Sequence, residues 1–176
     1  MTMKLLAPSS IDDLLLYRLS RLLAVGGARV IRLCEGQLGI TWREWRVIAS
    51  LRPDVSMLSS ELARQTQLDR ARTSRAITSL GQKGLLTRQG VTSDLRKATV
   101  SLTEGGRKIY EDFFPVVASL NARLLQSLSV QELEVLDKAL MVAQTEADKM
   151  LAEGGLPKAN RRRGGRPIGR PNRLVP

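Results

Sequence analysis

The chain has 176 residues, is 43% hydrophobic, carries a formal net charge of +11, and contains one cysteine and no histidine. This length is that of one ordinary domain, or of one domain with a tail, and the composition excludes an intrachain disulfide and most zinc, Ser/His and Cys/His sites. Because paired-carboxylate, phosphate-loop and dinucleotide motifs are also missing, we predict no catalytic activity, no cofactor and no metal. No apolar run reaches the roughly 18 residues that span a bilayer, and the first ten residues are unlike a signal peptide, so we expect a cytoplasmic protein without a membrane partner.

The positive charge is concentrated in two blocks. Residues 69–103 hold seven Lys or Arg against two acidic residues, and residues 158–176 hold seven against none. Two basic blocks on a nearly neutral body indicate a polyanion, and nucleic acid in particular, although charge can also serve solubility alone. Binding to a membrane surface is less favoured because neither block is paired with a large apolar face.

The first predicted elements are helices with clear start signals. Residues 11–34 form one long predicted helix with Ser10 as its cap, an apolar leucine stripe, and a weak middle at Gly26 and Gly27. Thr41 and Glu44 form a capping box that starts a second helix, which ends before Pro53. After a short link at 54–58, helices are expected over about 59–66 and from the cap Asp69 to the stop at Gly84.

The pattern then changes to that of a β-hairpin followed by two more helices. Strands are predicted around Leu85–Leu86 and over 98–102, joined by a polar tip from Arg88 to Lys97. Thr103 caps the next helix, and a second capping box at Ser129 and Glu132 starts a helix that reaches about residue 151. From residue 153 the composition of Gly, Pro, Asn and Arg predicts a disordered basic tail.

Three helices followed by a hairpin are the element order of a winged helix-turn-helix. The predicted fold class is therefore mainly α (α+β), with a small β-hairpin wing. The predicted segments are a dimerisation helix at 1–38, a winged helix-turn-helix lobe at 39–103, dimerisation helices at 104–152 and a tail at 153–176.

The helix at 69–83 is the candidate to enter a DNA major groove. Thr73, Ile77 and Leu80 share one predicted inward side of the helix. The outward side carries four side chains that can bond bases or phosphates: Arg70, Ser74, Arg75 and Thr78. Arg72, in the first turn of the helix, can reach sideways. In the wing, Arg96 is expected to enter the minor groove, with Asp94 orienting it and Lys97 adding charge. Ordinary solvated arginines and a turn ion pair are the alternative interpretations.

With these residues in place, the sequence resembles the multiple-antibiotic-resistance regulator (MarR) family over about residues 10–150. The resemblance rests on Arg75 and Leu80 and on residues 38–41, 44–48, 61–63, 83–86, 94–96 and 100–103. It implies a dimer whose first and last helices interlock, double-stranded DNA as partner, DNA roles for Arg75, Asp94 and Arg96, and a small ligand between the lobes.

From these observations we expect a homodimeric transcriptional regulator that binds a pseudo-palindromic DNA site and acts as a repressor. The effector is expected to be an anionic aromatic or lipid-like molecule near Tyr17 and Trp45 or their partner-chain copies. A DNA-compacting protein with little sequence preference is the alternative. Cys34 has the acidic neighbour Glu35, which raises a thiol pKa, so an idle buried cysteine is favoured over a redox sensor.

The tail contains a motif that the MarR resemblance does not supply. Gly-Arg-Pro occurs twice, and the predicted minor-groove residues are Arg163, Gly165, Arg166, Pro167, Gly169, Arg170 and Pro171. This resembles the AT-hook, in which glycine clears the groove floor, proline keeps the backbone extended and arginine enters the negative potential of the narrow groove. A polycation that adds only non-specific attraction is the equally weighted alternative.

Overall fold

The computed structural model describes residues 4–90 and 98–153. The chain divides into two units, Met1–Ser127 and Leu128–Pro176. The helices of the first unit are α1 (Leu15–Gly26), α2 (Ala28–Gln37), α3 (Trp42–Leu51), α4 (Ser59–Gln65), α5 (Arg70–Gln82) and α6 (Glu104–Leu125). Its strands are β1 (Met57–Leu58), β2 (Leu86–Gln89) and β3 (Thr99–Leu102), and the described part of the second unit is α7 (Val130–Ala152).

The predicted class is confirmed: the fold is mainly helical with a small antiparallel sheet, as in a winged helix. The strand order is β1-β3-β2, and Leu86 of β2 pairs with Leu102 of β3. The core of the first unit joins α2, α3, α4, α5, α6 and the sheet. Its most enclosed apolar residues include Cys34, Val47, Ile48, Leu51, Leu62, Leu80 and Val100.

The predicted helix starts at Thr41, Asp69 and Ser129 are confirmed by their hydrogen bonds. The Glu44 backbone N–H donates to Thr41 Oγ1 over 3.2 Å, and the Thr41 N–H donates to a Glu44 carboxylate oxygen over 2.6 Å. The Arg72 N–H donates to Asp69 Oδ1 at the start of α5 over 2.8 Å. The same reciprocal bonds form at Ser129 and Glu132 before α7.

The prediction of one helix over 11–34 is wrong. Residues Ile11–Asp13 form a 3-10 turn, Leu14 is extended, and α1 and α2 are separated at Gly27. The Asp13 carboxylate accepts bonds from the backbone and hydroxyl groups of Ser9 and Ser10, which closes the turn before the helix can begin. A Cβ at Gly27 would lie 2.6 Å from the carbonyl oxygen of Leu23, so this backbone course depends on glycine.

The sheet also differs from the predicted hairpin. Residues 57–58, predicted as part of a link, form the third strand, and Met57 pairs with Val100. Leu85 is not in a strand; its N–H donates to the Leu80 carbonyl where α5 ends, beside Gly84 at a positive φ of 69°. Arg88 is a strand residue rather than part of the tip, because the ladder between β2 and β3 continues past the apolar residues.

Candidate nucleic-acid interface

Helix α5 separates its residues into a buried side and a polar side. Thr73, Ile77 and Leu80 are buried, as their spacing predicts, and Ala76 joins them. The four predicted outward residues, Arg70, Ser74, Arg75 and Thr78, are all exposed, and so is Arg72. An apolar side that fixes the helix and a polar side free to make contacts are what a groove-binding helix requires.

The turn before α5 is braced from α3. The guanidinium of Arg46 donates a hydrogen bond to the backbone carbonyl of Thr66, which lies where α4 ends. Burial of Arg46 lowers the pKa of its side chain. The Thr66 hydroxyl donates to the Leu62 carbonyl over 2.7 Å, and Gln67 takes a positive φ of 52°. Arg46 was not among the predicted site residues, because its partner lies 20 positions away and leaves no mark in the local sequence.

The far end of α5 is fixed to the start of α3 by an ion pair. Lys83 Nζ lies 3.0 Å from both carboxylate oxygens of the buried Glu44 and donates to the Gly39 carbonyl over 2.8 Å. Burial alone would raise the pKa of Glu44, but hydrogen bonds from Ser79, Thr41 and Lys83, and the charge of Lys83, hold it below its ordinary value. Glu44 therefore caps α3 and positions α5 at the same time.

Two cavities lie beside α5. The first, of about 410 Å³, is lined by Arg43 and Glu44 of α3 and by Arg72, Arg75 and Ser79 of α5. The second, of about 400 Å³, is lined by residues of α4, α5 and β2, among them Ser59, Ser60, Arg70, Ser74 and Arg88. Both therefore place arginines next to hydroxyl groups, which is the chemistry of an anion site.

The wing is described only at its base. At this base Gly90 lies close to the backbone of Ala98, since a Cβ at position 90 would be 2.8 Å from the Ala98 Cα. The predicted tip residues Asp94, Arg96 and Lys97 lie outside the described residues, as do all the tail residues from Arg163 to Pro171. Their assignment to DNA stays a prediction.

The predicted effector residues occupy different surroundings. Trp45 is a core residue that meets the ring of Phe113 edge-on, with centroids 4.7 Å apart. Tyr17 is half-buried on α1, with the Arg21 guanidinium 6.0 Å from its ring centroid. The described contacts do not join Tyr17 to Trp45 within one protomer, so a shared pocket stays a prediction.

A cavity of about 420 Å³ lies between α6 and the residues around the break from α1 to α2. Its lining combines Arg29 and Arg123 with the apolar side chains of Val30, Val117 and Leu120. Two cations beside an apolar wall suit an amphipathic anion.

The surroundings of Cys34 agree with an idle thiol. The side chain is fully buried in α2, and burial, with a smaller contribution from the charge of Glu35, raises its pKa to about 11. A thiol with such a pKa stays protonated at neutral pH and is a poor nucleophile.

The order of the elements and the polar side of α5 define a winged helix-turn-helix protein. In a comparison with known proteins, residues 40–98 match the model of the MarR family. Solved structures of the same fold include a MarR/EmrR family regulator from Acinetobacter sp. ADP1 and a probable transcriptional regulator from Pseudomonas aeruginosa. The first has 23% identity and a TM-score of 0.72 over 80% of this chain and 99% of that one. The second has 26% identity and a TM-score of 0.60 over 76% and 99%.

A third solved structure, BpsR from Bordetella bronchiseptica, has 21% identity and a TM-score of 0.60 over 72% of this chain and 98% of that one. DNA binding by BpsR is regulated by 6-hydroxynicotinic acid. Residues 40–98 of the chain thus match the MarR family in sequence, and most of its length has the fold of these solved regulators. Among the described residues, no helix has the length and apolarity needed to cross a bilayer.

Proposed function

We propose that this protein is a sequence-specific DNA-binding transcriptional regulator that acts as a homodimer on a pseudo-palindromic operator, as a repressor. The observation that carries the proposal is the polar side of α5, where every predicted contact residue is exposed while Thr73, Ile77 and Leu80 are buried. A B-DNA major groove accepts one such helix. Arg96 in the wing then reaches the neighbouring minor groove.

The dimer follows from apolar surface that one chain leaves exposed. Along α1, Leu15, Leu19, Leu22 and Leu23 are exposed, and along α7, Leu136, Leu140 and Met141 are exposed. Apolar side chains exposed along a helix in this way mark an interaction site, and a second copy of the chain would cover them. Two copies would then offer two α5 helices to two half-sites.

Binding measurements with a charge-matched control test the proposal. Arg75→Ala should weaken specific binding by about 1–3 kcal/mol, because an arginine that reads or clamps the site is removed. Lys108→Ala removes one positive charge from an exposed position of α6 and should leave binding almost unchanged. Thermal unfolding of both variants should match the parent. Equal operator affinity for Arg75→Ala and the parent would overturn the placement of α5.

DNA compaction without sequence preference is the rival function, because charge alone also attracts duplex. Competition with unrelated duplex separates the two. A regulator retains one preferred site when the competitor is in large excess, whereas a compacting protein is displaced from every duplex alike.

We also propose that a small anionic aromatic or lipid-like effector changes DNA affinity. Support comes from the regulation of BpsR by 6-hydroxynicotinic acid and from the cavity that pairs Arg29 and Arg123 with apolar side chains. A ligand acts only if it prefers one spacing of the two α5 helices. A thermal-shift screen of such acids, followed by DNA titrations, tests this. If no acid changes both the melting temperature and the DNA affinity, the regulator works without an effector.

A further inference from the structure

The arginines of the first turn of α5 face the two flanks of the helix. Arg70, Ser74 and Ile77 follow one helical stripe and line the cavity shared with α4 and β2. Arg72, Arg75 and Ser79 follow another stripe and line the cavity shared with α3. The stripes are offset by two residues, which is about 200° of helical rotation, so the two cavities lie on nearly opposite sides of α5.

The cavity beside α3 is cationic. Arg43 stands exposed in the first turn of α3, and Arg72 and Arg75 face it from α5. The carboxylate in the lining, that of Glu44, is already bound to Lys83. Arg72 Nε is 3.3 Å from Asp69, which holds that side chain to one edge of the helix.

The cavity beside β2 is cationic as well and contains more hydroxyl groups. Arg70 and Arg88 line it together with Ser59, Ser60 and Ser74, and none of the described acidic residues is in its lining. Arg88 is held in the sheet by its pairing with Val100, so its position relative to α5 is fixed by backbone bonds. Within the part of the chain that the structure describes, no hydrogen bond or ion pair engages the side chains of Arg43, Arg70 or Arg88.

These positions match the walls of a DNA groove. A helix with its side chains is about 10–12 Å wide, and the major groove is about 12 Å wide, so a helix in the groove has a phosphate row along each flank. Resting on the proposed function, we propose that the two cavities bind backbone phosphates of opposite DNA strands. Arg43 and Arg72 hold one strand, and Arg70 and Arg88, with the hydroxyls of Ser59 and Ser60, hold the other.

The assignment changes the roles of two predicted base-reading residues. Arg70 and Arg72 position the helix through phosphates, while Ser74, Arg75 and Thr78, which lie towards the exposed middle of α5, remain to contact bases. Replacement of Arg43 or Arg88 by alanine should then weaken binding to all duplex sequences by a similar factor. It should also reduce the slope of log affinity against log salt concentration by about 0.9 for each phosphate that the protein no longer neutralises.

The test uses the full-length protein and a duplex selected from a random pool, in which single phosphates are replaced by uncharged methylphosphonates, one strand at a time. Each methylphosphonate that weakens DNA binding by the parent protein is tested again with the Arg43→Ala and Arg88→Ala variants. If a methylphosphonate does not lower the DNA affinity of a variant, the phosphate that it replaces is the one that the missing arginine contacts. Lys108→Ala is the charge-matched control, and thermal unfolding verifies that each variant is folded.

We expect the phosphates coupled to Arg43 and those coupled to Arg88 to lie on opposite strands across one major groove. Coupling of both arginines to the same strand, or of neither to any phosphate, overturns the inference while DNA binding by the parent still stands. Failure of the parent to select any duplex overturns the proposed function itself, which is a different result.

Discussion

Lys83 Nζ, at the end of α5, lies 3.0 Å from each carboxylate oxygen of Glu44, in the first turn of α3. The carboxylate is buried and also accepts the Thr41 backbone N–H, so one acidic side chain sets both the start of α3 and the position of α5. The orientation of the polar side of α5 thus depends on a group that cannot itself contact DNA.

Acid should lower the free energy of unfolding because it protonates Glu44. The pKa of Glu44 is lowered from its ordinary value of 4.5, so the charged carboxylate is favoured in the folded state. Its stabilisation is fully present above about pH 4.5 and is lost as the pH falls through the lowered pKa. Glu44→Gln should reduce the free energy of unfolding by about 1–3 kcal/mol at pH 7, and this free energy should then fall less steeply as the pH drops below about 4.5.

Urea denaturation at a series of pH values measures this effect. Glu111→Gln, at an exposed position of α6, is the matched control and should follow the parent. A pH curve for Glu44→Gln that coincides with the curve of the parent would contradict the role given to the ion pair.

Much of the fold follows from local sequence signals, and the exceptions have physical reasons. Capping residues such as Thr41 and Asp69 satisfy the free N–H groups of their own helices, so their signal lies within four residues. The two-residue strand β1 has no periodicity to detect, and it exists because Met57 pairs with Val100. The break at Gly27 depends on how closely the backbone approaches Leu23.

The candidate interface was predictable to the same extent. The exposed positions of α5 follow from helical spacing, because burial of Thr73 and Ile77 fixes which side faces outward. The contacts that orient the helix were not predictable: Lys83 is 39 residues from Glu44, and Arg46 is 20 residues from Thr66. Only the tertiary fold brings these pairs together.

Cys34 should be slow to react with an aromatic disulfide reagent in the native protein. Its thiol is buried and has a pKa of about 11, so little thiolate is present at neutral pH, and the reaction should speed up as the pH rises towards that value. Absorbance of the released thiolate measures the rate, and unfolding in denaturant should make it fast. Cys34→Ser combined with Gln131→Cys, at an exposed position of α7, supplies a reactive control. Rapid native modification of Cys34 would support a redox role instead.

Association should depend on the apolar face of α7. Leu136→Asp or Leu140→Asp places a charge on an exposed apolar stripe and should give monomers with weakened DNA binding, as seen by sedimentation at micromolar concentration. Lys138→Asp in the same helix lies away from that stripe and should preserve the dimer. A parent protein that sediments as a clean monomer would contradict the dimer outright.

Deletion of residues 158–176 should leave the dimer intact and flatten the salt dependence of DNA binding, because seven positive charges are removed. If the Gly-Arg-Pro repeats act as AT-hooks, the intact protein prefers operators with A·T-rich flanks over G·C-rich flanks. Arg166→Ala with Arg170→Ala should abolish that preference, whereas Arg161→Ala with Arg162→Ala, which removes the same charge, should retain it. Equal affinity for both flanks would reduce the tail to non-specific charge.

Footprinting of the purified protein on genomic duplex fragments shows whether it selects particular DNA sites. Two recognition helices related by a two-fold axis should protect two half-sites in a pseudo-palindrome, with centres about one helical turn apart or a multiple of it. A sequence-specific regulator should protect a small set of such sites and retain them in the presence of excess unrelated duplex. Uniform protection of all fragments, or no protection of any, would contradict a sequence-specific regulator.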